Sequence, residues 1–252
     1  MKIRIKFAKY GTMKFIGHLD MMRFFQKAIR RAEIDIKYSE GFSPHQIMSF
    51  AAPLGVGVES MGEYLDIEVN SMTTAKEMMD ALNSTMVEGV EVVSVGVLPD
   101  TVKNAMASVA AASYRIHRKE GDFGIDNLAE TVKAFYEQDV IPYTKETKKS
   151  VIELDLKEGI YEIGTEEIKT NPAETAESAD GKALKTALCM TVNASSSGNI
   201  KPTMVLEKLF EFAGVELSPS GYQVTRLETY TNLAKDGEAH RFVPLSDCCE
   251  TL

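Results

Sequence analysis

Three residues near the amino end of this 252-residue chain carry the side chains most readily put to chemical use: His18, Asp20 and His45. Imidazole and carboxylate groups from neighbouring loop ends can serve as a general acid–base pair for phosphodiester cleavage, with Lys14, Arg23 or Lys27 holding the phosphate. The same three can offer a metal two nitrogens and an oxygen, with Glu40 as a spare ligand. They can also do something plainer, His18 capping a helix start through its side chain and His45 hydrogen-bonding the turn at Pro44. No short His-x-His or Cys-x2-Cys spacing is present, so no metal site and no cofactor are expected.

The residues around them suggest a binding surface. Gly41, Ser43, Gly55 and Gly57 sit in two short loops, Ser39–His45 and Leu54–Gly57, where backbone can approach a ligand closely or simply turn. Neither loop is a phosphate-binding P-loop, and Gly55-x-Gly57 lacks the third glycine of a dinucleotide fingerprint. Tyr38 and Phe42 can stack on bases, as the aromatics of single-strand RNA readers do, or be core. Residues 1–50 hold ten Lys or Arg against four Asp or Glu, a net +6, so the chain total of -9 leaves -15 for the rest. A basic first fifth on an acidic protein is what a local anion-binding surface looks like, although solvated helix and strand faces give the same pattern.

Periodicity supplies the elements that must position these groups. Residues 2–9 alternate, with Ile3, Ile5 and Phe7 on one face and Lys2, Arg4 and Lys6 on the other, which predicts a half-buried strand with a basic outer face. After Gly17 a helix is expected from His18 to Ala32, burying Leu19, Met22, Phe25, Ile29 and Ala32 and turning Arg23, Lys27, Arg30 and Arg31 outward. Asp20 in the first turn and Arg30 and Arg31 in the last suit the helix dipole. Strands over 46–52 and 63–69, a helix over 73–86 and a strand over 90–98 complete a β-α-β-β-α-β order.

A connector follows at 99–110. Strands over 112–117, 151–156, 160–163, 184–192 and 222–230, with helices over 126–137 and 202–213, then repeat the plan. The strands over 151–156 and 160–163 are expected to flank a turn at 157–159. The expected fold is α+β, two tandem ferredoxin-like (βαββαβ) domains at 1–100 and 108–252. The acidic, apolar-poor stretch 164–182 is expected to be a mobile loop, and Cys248 and Cys249 to lie in a frayed tail.

Composition narrows the class. Hydrophobic content of 44% and charged content of 26% are ordinary for a globular protein. No apolar run approaches the length of a membrane span, and the basic opening MKIRIKFAKY lacks a signal peptide's apolar block. Three cysteines, an odd and sparse set, do not suggest a disulfide framework, so a cytoplasmic protein without membrane contact is expected.

The segments MKFIGHLDMMR, YSEGFSPHQIMSFA and PLGVGVES followed by EYLDIE are similar to the signature of an uncharacterised bacterial family of radical-SAM-associated proteins. Members occur alone or fused to the C-terminus of a radical SAM enzyme. The likeness is dense over residues 4–69 and thin beyond, with NIKPTMVLEKLF and YQVTRLETY resembling the family's later portion. It implies a partner, a radical SAM enzyme, rather than a reaction. The chain lacks the Cys-x3-Cys-x2-Cys of a radical SAM cluster, so it is expected to be the accessory and not the catalyst. Three functions stand as expectations. One is an accessory protein binding RNA through Lys14, Arg23, Lys27, Arg30, Arg31, Tyr38 and Phe42. Another is an RNA endonuclease or modifying enzyme using His18 and His45, and the third is a protein-docking scaffold.

Overall fold

The computed structural model describes residues 1–146, 151–169, 184–218, 220–235 and 237–250. It is a mixed α+β structure, mostly antiparallel in its strand pairing, with five α-helices among the described residues. No helix among them is long and apolar enough to cross a membrane. The chain separates into two compact units, Met1–Ala111 with Arg226–Leu252, and Ala112–Thr225. The last segment thus clusters with the first unit, whereas the sequence-based division at 100–108 groups it with the second.

In the first unit β1 (Lys2–Lys9) runs antiparallel to both β3 (Glu59–Glu68) and β4 (Val90–Val97), giving the order β4-β1-β3. The short β2 (Met48–Phe50) extends this order by pairing with residues 65–67 of β3. The part of β10 (Tyr222–Asn232) from Arg226 onward also lies against β3, where the Thr229 hydroxyl donates to the Gly62 carbonyl at 2.8 Å. β11 (Phe242–Pro244) pairs with β10 in turn. Ile3, Ile5 and Phe7 form one continuous core with Phe25, Ile29, Leu65, Ile67 and Leu82, drawn from α1 (His18–Arg31) and α2 (Ala75–Asn83) as well as the strands. Thr74 starts α2 as a reciprocal cap: its hydroxyl oxygen accepts the Glu77 amide and donates to the Glu77 carboxylate, both at 3.1 Å. A single-turn helix, α3 (Ala105–Ser108), interrupts the expected connector.

Three expectations for this unit are corrected. The buried stripe of α1 is Met21, Phe25, Ala28 and Ile29, not one that includes Leu19, which is 62% exposed. Leu19 and Phe25 cannot share a stripe with Ile29 at 100° per residue as well as Met21 does, and the choice falls to the tighter register. The outer face of β1 is not a basic solvent face either. Arg4 is 1% exposed, and Lys6 is ion-paired with Glu228, because the carboxyl-terminal segment covers that side. The same covering orders the cysteines. Residues 245–248 form a 3-10 turn and Glu250 bridges to Val97, so Cys248 and Cys249 do not belong to a frayed end.

The second unit contains β5 (Ala111–Arg118), α4 (Leu128–Tyr136), a hairpin of β6 (Pro142–Glu146) and β7 (Val151–Asp155), β8 (Ile160–Lys169), β9 (Leu184–Asn193), α5 (Pro202–Ala213) and the first residues of β10. Its strand order is β10-β5-β9-β8. Pro202 at the first position of α5 and Gly214 with φ 67° after its last residue bound that helix where the sequence places it. The turn at 157–159 does not join two paired strands. It is a 3-10 turn, with β7 paired to β6 and β8 to β9. Residues 164–169, read as the start of the acidic loop, continue β8 in register with β9 from Gly164–Cys189 to Lys169–Leu184, and Arg115 pairs with Glu166. Residues 170–182 of that stretch lie outside the described residues.

Candidate functional site

The residues singled out above lie on the first unit, grouped by α1 and the two loops that follow it. Arg23, Lys27, Arg30 and Arg31 are all exposed, spaced at three or four residues along one side of α1. Arg23 Nη1 donates to Asp20 Oδ1 at 3.2 Å, an exposed contact within one helix, worth a few tenths of a kcal/mol. Arg31 Nη2 donates to the Thr85 carbonyl at 3.0 Å. Lys27 and Arg30 have no side-chain partner among the described residues, so their charges face solvent. Lys14 is set apart from this row. It is half-buried, ion-paired with Glu59 at 3.0 Å, and its carbonyl accepts the Gly57 amide at 2.9 Å.

The loop from Ser39 to His45 is closed at its base. The Ser39 amide donates to the His45 carbonyl at 2.8 Å, the His45 amide donates to Ser39 Oγ at 3.1 Å, and Ser39 Oγ lies 2.8 Å from His45 Nδ1. His45 Nδ1 also reaches the Ser43 carbonyl at 3.4 Å, so the imidazole serves the turn, as one of its expected roles had it. Tyr38 and Gln46 form a β-bridge below the loop, and Gln46 Nε2 donates to the Gln26 carbonyl of α1 at 3.3 Å. Gly41 takes φ 110° at the turn, a conformation L side chains rarely adopt. Phe42 beside it is fully exposed, and Tyr38 is 47% exposed. Gly57 also has a positive φ, 85°, while the Gly55 carbonyl accepts the Val58 amide at 3.2 Å.

Among the described residues no hydrogen bond joins His18, Asp20 and His45 to one another. His18 opens α1 after the cap residue Gly17, and its imidazole makes no hydrogen bond to another described residue, so it does not cap the helix. Its ring lies edge-on to Phe50, centroids 5.3 Å apart, at the wall of a small cavity of about 20 Å³ that it shares with Phe7, Lys9, Met21 and Glu63. Neither Asp20 nor His45 borders that cavity. Among the described residues no three His, Cys, Asp or Glu side chains are placed to hold a metal ion.

Two polar groupings escaped the sequence reading. Lys9 is 3% exposed and donates to the Ile16 carbonyl at 2.6 Å; burial lowers its pKa, partly offset by the charge of Glu63. Glu63 itself is ion-paired with Arg226 at 2.9 Å, both buried. On the opposite face of β1 a cleft of about 330 Å³ is lined by Arg4, Lys6, Tyr64, Gly96, Ser246 and Cys249 among others. There Tyr64 Oη donates to Glu228 Oε1 at 2.8 Å and lies 3.2 Å from Ser246 Oγ. Burial, with the Glu228 charge behind it, pushes the Tyr64 pKa up. The one sequence signal for this grouping was Arg4 and Lys6 alternating with Ile3 and Ile5. It could not say which later carboxylates would meet them.

Comparison with curated proteins gives no match. A family model does match, over residues 2–202, and so takes in β1, α1, both loops and most of the second unit. With four-fifths of its length inside that model, the chain belongs to the bacterial family DUF2344, described as an uncharacterized protein conserved in bacteria.

Proposed function

We propose that this chain is a non-catalytic, cytoplasmic accessory protein that binds RNA through its first unit and serves a radical SAM enzyme. The observation that carries the RNA part is the row of exposed cations on α1, with Lys27 and Arg30 unengaged, on a chain whose net charge is -9. A row of exposed cations on an otherwise acidic molecule is a local electropositive surface of the kind that binds a polyanion. The radical SAM partner is supported by the likeness of residues 4–69 to proteins associated with such enzymes. An endonuclease that uses His18 and His45 together draws no support from residues that border different surroundings.

We also infer that both units are ferredoxin-like. The β4-β1-β3-β2 order of the first and the β10-β5-β9-β8 order of the second are the same arrangement of first, second, third and fourth strands, with helices in the crossover positions.

Filter binding of a labelled RNA across a range of salt concentrations tests the reading. Three or four engaged cations predict a log–log salt slope of about -2 to -3 on a single strand. Arg23→Glu, Lys27→Glu and Arg30→Glu together should abolish binding without unfolding the protein. Unchanged binding by the triple variant would remove the α1 face from consideration. Co-purification with a radical SAM enzyme tests the partner separately.

A further inference from the structure

We infer that the first unit takes unpaired rather than duplex RNA, with one base stacked on Phe42 and successive phosphates along Arg23, Lys27 and Arg30; this deepens the RNA reading above and rests on it. Phe42 is fully exposed at a glycine turn. A large apolar ring held in water gains by being covered, and a flat ring is best covered by another flat ring. The loop holding it is fastened at its base by the three contacts between Ser39 and His45, which limits how far the turn can move. Its base is tied to α1 through Gln46 and the Gln26 carbonyl, one residue before Lys27. The foot of the loop therefore lies against α1, the helix that carries the cations.

That combination selects a single strand. A paired base has both faces occupied by its neighbours, whereas an unpaired one can swing onto an aromatic ring. From Arg23 to Lys27 the helix rises about 6 Å, and from Lys27 to Arg30 about 4.5 Å. Such a row follows the phosphates of one strand, while a duplex also asks for contacts on the strand across the groove. An acidic polypeptide would satisfy the cations but leave Phe42 without a flat partner.

The chain contains no tryptophan, so Phe42→Trp introduces a single indole as a reporter. The full chain carrying this change is titrated with a short oligouridine, with an RNA duplex of equal length and with polyglutamate. Binding of each to the unchanged protein and to Phe42→Ala is followed by fluorescence anisotropy. Expected are quenching of the indole by oligouridine, a roughly 5- to 100-fold weaker oligouridine affinity for Phe42→Ala, and weaker binding of the duplex. Circular dichroism of both variants should match the unchanged protein, Phe42 having no core to disturb. Oligouridine binding that ignores Phe42→Ala and leaves the indole unquenched overturns the stacking proposal while the RNA reading stands. Equal affinity for the duplex also overturns it. Polyglutamate that quenches the indole and displaces the oligonucleotide makes the surface a protein-docking site and overturns it. No binding of any RNA defeats the RNA reading itself, and this inference with it.

Discussion

Arg4 and Asp66 face each other across β1 and β3 and join through two parallel bonds, Nε to Oδ1 at 2.8 Å and Nη2 to Oδ2 at 3.0 Å. The pair is sealed rather than exposed. Arg4 also donates to the Leu245 and Lys103 carbonyls, and Asp66 Oδ2 accepts the Ala105 amide at 2.6 Å. Burial works against the charge on Arg4, but bonding to Asp66 and its charge prevail and raise the guanidinium pKa. Arg4 thereby fastens the carboxyl-terminal segment, Lys103 of the connector and the later part of β3 to one point.

Breaking this pair from one side strands the other charge in the interior. Arg4→Met or Asp66→Leu alone should destabilise the first unit by about 3–5 kcal/mol, and the double change should recover much of that loss. Urea unfolding followed by circular dichroism measures both. A single variant within about 1 kcal/mol of the unchanged protein would mean that water reaches the partner left behind.

The corrected register of α1 gives a second prediction. Phe25 is wholly buried, 4.7 Å from Phe7 and 5.8 Å from Phe50 by ring centroids, while Leu19 stands in solvent. Phe25→Ala should cost about 3–5 kcal/mol. Leu19→Ala should stay within about 0.5 kcal/mol. Thermal or urea unfolding of the two variants side by side decides it, and a costly Leu19→Ala would restore the stripe first read from the sequence.

That contrast shows what could be read beforehand. Alternation at Ile3, Ile5 and Phe7, Pro202 before α5 and the cations along α1 are local patterns, and each marked its element or face. The fate of Arg4 was not local. Its partners Asp66 and Leu245 lie 62 and 241 residues away, and charge on an alternating strand ordinarily signals solvent. The exposed row on α1 was legible because helix period alone sets it. Whether His18 and His45 meet depended on how two loops close, which spacing does not encode.

The three thiols supply a pH-dependent test. Burial, opposed by Arg4, pushes the Cys249 thiol from 9.0 up to about 11, and burial with the Glu166 bond pushes Cys189 up to about 12; Cys248 is also raised. Raised thiol pKa values mean that the folded state holds these protons more firmly than the unfolded chain. Their contribution to stability is therefore complete below pH 9 and declines as pH climbs through the folded values, for Cys249 between 9.0 and about 11. Native protein should accordingly react slowly with iodoacetamide at pH 8, with alkylation accelerating toward pH 11, whereas urea-unfolded protein should accelerate near pH 9. A native profile that already turns up near pH 8 would place at least one thiol in water or beside an unpaired cation.

The clasp between Ser39 and His45 decides whether Phe42 is presented in place. Ser39→Ala removes both contacts made by the hydroxyl, to the His45 amide and to its Nδ1, but keeps the Ser39 amide bonded to the His45 carbonyl. The site is exposed, so global stability should change little, with a melting temperature lower by less than about 3 °C. Local order should change more. Hydrogen exchange at residues 39–45 should quicken while α1 and β3 keep their protection, since opening of a loop draws on its own contacts. If Phe42 binds a base, the loosened loop must be ordered again on binding, so oligouridine affinity should drop severalfold with an unchanged salt slope. A fall in affinity accompanied by a shallower slope would instead mean that the substitution had disturbed the cation row on α1. Slope and affinity measured together separate the two causes.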